Sequence, residues 1–241
     1  MIALENVSFS YPDAPALRRV DLGIRRGEAM ALIGPNGSGK STLLKLVNGL
    51  VFAEEGSYRF DGEEITRRRL GDQLFAKRFH QRIGYLFQSP DAQLFCTSVR
   101  EEVAFGPRQM GLGEDEIAQR VNDALGLLGI AALADRVPYH LSGGEKRKVA
   151  LASVLSMNPD VLVLDEPMNG LDPRTKHFLR DFLSSMRGAG KTIVCATHDF
   201  EYVDGLFDRA AAFSVGHGIV RVGPYAEVIG DRAFLERENI V

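Results

Sequence analysis

Cysteine is almost missing from this chain. Cys96 and Cys195 are the only two, too few and too scattered for a disulfide framework or a zinc site, and free thiols fit a reducing compartment. Long apolar runs are missing too. Residues 161–164 and 210–213 are short and flanked by charge, against the ~18 uninterrupted apolar residues a membrane span requires. The opening MIALENVSF has no basic stretch followed by an apolar core, so no secretory signal is expected. No single sign of charge dominates: the net charge is −3, and no global basic field argues for nucleic acid as a partner. What is present is an ordinary globular composition, 45% hydrophobic and 25% charged over 241 residues. That length suffices for one large domain or two lobes sharing a site.

Apolar stretches at residues 2–9, 17–24 and 30–33 read as strands, punctuated by Pro12, Pro15 and Arg26-Gly27. A Gly-rich loop at 34–39 leads into a helix from Lys40 to about Gly49, and residues 57–60 form a strand entering an Asp61-Gly62 turn. From about 89 to 140 the character changes. Ile117, Val121, Leu125 and Leu128 recur at helical spacing behind an acidic first turn. This stretch is expected to be a helical lobe inserted into an α/β core. Strands return at 161–164, 192–196 and 210–215, each expected to lead into a helix, which implies a parallel sheet covered on both faces. Residues 225–241 are expected to form a short amphipathic helix and a frayed end. The basic residues Arg67, Arg68, Arg69, Lys77, Arg78 and Arg82 are diluted by Glu63, Glu64 and Asp72 and read as a solvated helix face.

The chemistry begins at Gly34-Pro35-Asn36-Gly37-Ser38-Gly39-Lys40-Ser41, which fits G-x-x-x-x-G-K-[ST] and is followed by Thr42. Glycines let the backbone bend so that successive N–H groups face phosphate oxygens, and the helix starting at Lys40 adds its N-terminal dipole. Lys40 is expected to reach the β- and γ-phosphates, and Ser41 to ligate Mg²⁺. Downstream, an apolar run ends in Asp165-Glu166. A buried strand would place both carboxylates at the sheet edge where α/β proteins bind ligands. Asp165 is expected to hold Mg²⁺. Glu166, on the other side of the strand by the period of two, is expected to polarise the attacking water.

Leu141-Ser142-Gly143-Gly144-Glu145 opens a further helix, from Lys146 to about Met157, and offers a second set of free N–H groups. This segment closely resembles the signature sequence of ABC ATPases, and the resemblance extends over nearly the whole chain. It implies a P-loop NTPase core with a mainly parallel sheet, an N-terminal antiparallel β subdomain and the inserted helical lobe. The chain would be one domain over residues 1–241: a core at about 1–88 and 141–225, the lobe at about 89–140 and a tail at 226–241. It further implies that Ser142, Gly143 and Gly144 touch the γ-phosphate held by a second subunit, giving two composite ATP sites in a head-to-tail dimer. By the same resemblance Tyr11 stacks on adenine, Gln88 links Mg²⁺ and water to the membrane partner, Asp172 lies in the loop crossing the dimer interface, and His198 holds the γ-phosphate and orients water. His80, His140, His177 and His217 match nothing and receive no role. Two departures stand out: Glu145, where many relatives carry glutamine, and residues 167–170, where smaller residues are commoner.

The segment Gln88-Ser89-Pro90-Asp91-Ala92-Gln93-Leu94-Phe95, with Val103-Ala104-Phe105-Gly106-Pro107, is similar to the energy-coupling-factor importers, particularly their cobalt and nickel branch. The resemblance implies a homodimer, or a dimer with a close paralogue, on the cytoplasmic face of the membrane. Its partners would be a transmembrane coupling protein and a membrane-embedded substrate-capture protein. Leu94, Phe95, Val99 and Phe105 are expected to receive coupling helices, with Arg100, Glu101 and Glu102 as a polar rim; filling the lobe's own core is the alternative for each apolar residue. An importer of another micronutrient such as a vitamin, and an ABC ATPase that moves no solute, remain as other readings.

Overall fold

The chain opens on an antiparallel pair, β1 (Ile2–Tyr11) and β2 (Ala14–Ile24), turned at Pro12 and Asp13. The computed structural model describes residues 1–200 and 202–241. β3 (Ala29–Ile33) and α1 (Lys40–Val47) follow, joined by the glycine-rich loop. β4 (Glu55–Phe60) and the two-residue β5 (Glu63–Glu64) complete a four-stranded sheet in the order β2-β1-β4-β5. Two helices, α2 (Arg67–Leu70) and α3 (Gln73–Arg82), lead to β6 (Ile83–Leu86). The helical stretch then contributes α4 (Val99–Gln109), α5 (Glu114–Leu127) and α6 (Gly143–Leu155). β7 (Val161–Asp165), α7 (Pro173–Gly188), β8 (Thr192–Ala196), β9 (Arg209–Phe213) and β10 (Ile219–Pro224) finish the second sheet. Its order is β10-β9-β3-β8-β7-β6, parallel throughout except for β10 at one edge.

Alternation explains why the central strands read as unbroken apolar runs. In β3, Ala29, Ala31 and Ile33 join one core while Met30 and Leu32 join another. β7 divides the same way, Leu162 and Leu164 against Val161 and Val163. Successive side chains point to opposite faces, so a sheet covered on both sides needs apolar residues at every position. The first core is completed by the three helices α4–α6 and by α7; the second by α1 and the antiparallel sheet. Each fully buried Leu, Ile or Val contributes roughly 1.5–3 kcal/mol.

Three expectations fail here. Among the described residues no helix separates β8 from β9, and β9 turns directly into β10, so of the three strands expected to lead into helices only β7 does. β10 alternates half-buried and exposed residues, the pattern of an edge strand rather than a helix. The tail is not a helix with a fray. It forms α8 (Tyr225–Gly230) and α9 (Arg232–Arg237), and buries Tyr225, Val228, Phe234 and Leu235 against the first core. Asp231 caps α9 by accepting the Phe234 N–H at 3.1 Å. Finally, Val99 and Glu102 are 0% and 3% exposed, not at a docking face. Glu102 accepts the N–H groups of Phe95 (2.8 Å) and Cys96 (2.7 Å) and so anchors the chain entering α4. Phe95 and Phe105 do stay exposed, packed edge to face with ring centroids 4.9 Å apart. No helix among the described residues is long and apolar enough to cross a membrane.

Candidate active site

The loop between β3 and α1 is bent by positive-φ glycines. At Gly39, φ is 108°, and an added Cβ would lie 2.3 Å from the Ala16 carbonyl. At Gly34, φ is 147°, and a Cβ would lie 2.8 Å from the Phe213 carbonyl. Neither position admits a side chain. Lys40, at the head of α1, is 7% exposed and folds back so that Nζ donates to the carbonyls of Gly34 (2.7 Å) and Pro35 (2.9 Å). Burial lowers the ammonium's pKa, opposed by the charges of Glu166 and Asp165. The Ser38 hydroxyl is buried and has no partner among the described residues. An orphaned hydroxyl beside a caged lysine is a site built for an absent anion.

Beneath this loop the Ser41 hydroxyl donates to Asp165 Oδ1 at 3.0 Å and the Tyr85 hydroxyl to Oδ2 at 3.4 Å. Burial still holds the Asp165 carboxyl above its ordinary range, against those two donors. A buried carboxylate facing a hydroxyl, with the Gln88 side chain on the same cleft, is an all-oxygen donor set that fits Mg²⁺. The neighbouring carboxylate is placed differently from the sequence expectation. β7 ends at Asp165, so the period of two does not carry on to Glu166. Glu166 has left-handed backbone, φ 48°, and its N–H donates to Ala196 O at 3.0 Å. That turn, at the end of β7 and beside the end of β8, aims its carboxylate at His198, whose Nδ1 lies 2.8 Å from Oε2.

These groups converge. Tyr11, Asn36 to Thr42, Gln88, Glu166 and His198 line one cleft of about 710 Å³. Gly34 and Pro35 serve it from behind through Lys40, and Asp165 from below through Ser41. Ala14, Pro15, Ala16, Asn169 and His217 line the same cleft, though reading the sequence assigns them no role in it. Ala14, Pro15 and Ala16 open β2 while Asn169 and His217 lie in turns, all distant in the chain from the phosphate loop, and no local motif marks them.

Ser142, Gly143, Gly144 and Asp172 line a second cleft of about 540 Å³. α6 begins at Gly143, three residues before the expected Lys146, because Ser142 caps it. The Ser142 hydroxyl accepts the Glu145 N–H at 3.3 Å. In return the Glu145 carboxylate accepts from the Ser142 N–H (2.8 Å) and hydroxyl (2.7 Å). The Ser142 N–H and then its hydroxyl hold the Glu145 carboxyl below the usual range. Asp172 caps α7, accepting from the Thr175 N–H at 3.1 Å and hydroxyl at 2.7 Å. The stretch leaving Glu166 therefore starts in the first cleft and ends in the second. Arg147 of α6 adds another tie, donating to the carbonyls of Phe87 (2.7 Å) and Gln88 (2.7 Å).

A phosphate loop, a buried acidic strand end and a capped glycine helix on one mixed α/β scaffold define a nucleotide-hydrolysing cassette. Residues 17–169 match the ABC transporter family, and the chain belongs to that family, whose cassettes bind and hydrolyse ATP. The nickel import ATP-binding protein LarO of Lactiplantibacillus plantarum is 49% identical over 91% of each chain. The energy-coupling factor transporter ATP-binding protein EcfA of Methanothermobacter thermautotrophicus is 40% identical over 100% of this chain and 76% of its own. Among solved structures, CbiO1 of Clostridium perfringens, part of the ABC transporter complex CbiONQ, superposes with a TM-score of 0.84 at 37% identity, covering 99% of this chain and 94% of its own. A dimeric cassette in a post-hydrolysis state with ADP and Pi superposes with a TM-score of 0.83 at 27% identity, covering 93% and 99%.

Proposed function

We propose that this chain is the ATP-hydrolysing subunit of an energy-coupling-factor importer that drives uptake of a transition-metal ion, nickel or cobalt. The metal is supported by the likeness to the nickel import protein and to CbiO1. It works as a head-to-tail dimer, of two copies or with a close paralogue, peripheral to the cytoplasmic face of the membrane. A transmembrane coupling protein and a substrate-capture protein complete the assembly. The exposed Phe95–Phe105 pair beside Gln88 is the face offered to the coupling protein.

One observation carries the mechanism: the phosphate-binding groups are divided between two clefts of the same chain. Lys40, Ser41 and the loop amides take the triphosphate, with Tyr11 against the base. Ser142 and the first-turn N–H groups of α6 close over the γ-phosphate from the partner. Mg²⁺, when bound by Ser41, Asp165 and Gln88, would neutralise charge on the phosphates. Glu166 accepts the proton of the attacking water, and His198 holds that carboxylate in line. Loss of the γ-phosphate removes contacts present only in the closed pair, so the dimer opens and the membrane subunit moves.

The test is transport by the complex purified with its membrane partners in liposomes. ATP-dependent uptake of nickel or cobalt, abolished by Glu166→Gln, is the expected result. Uptake of a vitamin in place of either metal would reassign the substrate while leaving the ATPase in place.

A further inference from the structure

His217 lies on the turn between β9 and β10, remote in sequence from every residue given a role above, yet it lines the cleft of Tyr11, Lys40 and Glu166. Its backbone is left-handed, φ 65°. The His217 N–H donates to Ser214 O at 3.1 Å, and the Ser214 N–H to Gly218 O at 3.0 Å, so the turn is closed on itself. The His217 carbonyl accepts the Arg18 N–H at 2.9 Å, which pins the turn to β2. β2 also carries Ala16, whose carbonyl approaches Gly39 at the head of α1. The imidazole therefore stands on the wall between the Tyr11 end of the cleft and the phosphate loop. If phosphates lie in the loop and the base against Tyr11, the sugar and α-phosphate pass this wall; the inference rests on that reading of the cleft.

Ring chemistry decides which nitrogen is offered. Nδ1 is buried without a hydrogen-bond partner. A sealed N–H lacking an acceptor is costlier than a sealed lone pair, so the neutral ring carries its proton on Nε2. We propose that His217 contacts the bound nucleotide, its Nε2–H donating to a ribose hydroxyl. One neutral hydrogen bond of this kind changes affinity by roughly 3- to 10-fold.

The turn itself allows a clean test. Glycine accepts a φ of 65° without strain, and asparagine tolerates it, so His217→Gly and His217→Asn remove the imidazole while keeping the turn. Equilibrium binding of ATP, ADP and tripolyphosphate is measured on the full chain, with steady-state hydrolysis alongside. His217→Gly is expected to weaken ATP and ADP equally, by roughly 3- to 10-fold, and to leave tripolyphosphate unchanged. KM rises while kcat holds, and His217→Asn recovers part of the loss through its amide. Unchanged ATP and ADP affinity in His217→Gly would overturn the contact. So would an equal loss for tripolyphosphate, which would mean that the phosphate loop itself had moved. Failure of the unaltered chain to bind ATP at all would overturn the reading of the whole cleft, before any variant is compared.

Discussion

His198 Nδ1 lies 2.8 Å from a carboxylate oxygen of Glu166, and the two side chains differ widely in exposure, 57% against 9%. The imidazole thus reaches solvent while it fixes a carboxylate that is nearly sealed. A base held in one orientation beside an open ring is suited to aligning a single water. Glu166→Gln should keep ATP affinity, slow hydrolysis by about 10²- to 10⁴-fold, and accumulate the ATP-bound dimer. Nucleotide binding, phosphate release and light scattering on one preparation check the three together. Turnover near the unaltered rate would remove Glu166 from the role of base.

Gly143 separates folding from assembly. A Cβ there would meet nothing within 4 Å in its own chain, and the residue opens α6. Gly143→Ala should therefore fold normally and gain up to about 1 kcal/mol from helix propensity. If the composite site is as proposed, it should nevertheless fail to hydrolyse ATP, because the added methyl would occupy the face offered to the partner's phosphate. Thermal unfolding and ATPase activity moving in opposite directions is the expected signature. Full activity would argue against a composite site.

Asp165 makes stability depend on pH in a definite sense. Burial raises its carboxyl pKa in the folded state, so the neutral form is the one favoured by folding. Its contribution is fully present below the unfolded carboxylate value of about 3.9 and is lost as pH rises through the elevated folded value. Above that elevated value the nucleotide-free chain carries a buried anion. Asp165→Asn should then raise Tm at pH 7 by roughly 2–4 °C for about 1 kcal/mol, with little gain at acid pH, while Mg²⁺-dependent hydrolysis collapses. Calorimetry at the two pH values checks the sign.

The exposed Phe95–Phe105 pair gives a prediction about partners. Serine at both positions should leave the ATPase of the isolated subunit within about two-fold, since neither ring fills the core, while recovery of the membrane subunits on co-purification falls at least ten-fold. Undiminished recovery would move the docking face elsewhere.

Legibility in the sequence followed locality. The loop from Gly34 to Gly39 and β7 could be read because each is a contiguous pattern whose chemistry demands its spacing; the stop at Asp165, which takes Glu166 out of the strand's alternation, could not. α6 was placed three residues late because the Ser142–Glu145 cap, visible as a spacing, was read only as an anion site. Val99 was left open between a docking face and the lobe's own core, since an apolar residue looks the same on either side of a helix; packing buries it. Glu102 hides for the complementary reason: its buried carboxylate is satisfied by two backbone N–H groups that no pattern announces. His217 was passed over because only the pairing of β9 with β3 and of its turn with β2 carries it to the cleft.

The passage from Glu166 to Asp172 has a consequence for how two copies share labour. On the proposed mechanism, one end would carry the base of a protomer's own reaction, and the other would sit beside the serine lent to the partner. A shift at one end would then be passed along this short segment to the other, and the paired reactions would not fire as independent events. A hybrid containing one crippled protomer should then retain well under half the output of the intact pair, behaving like a two-person saw with one handle missing.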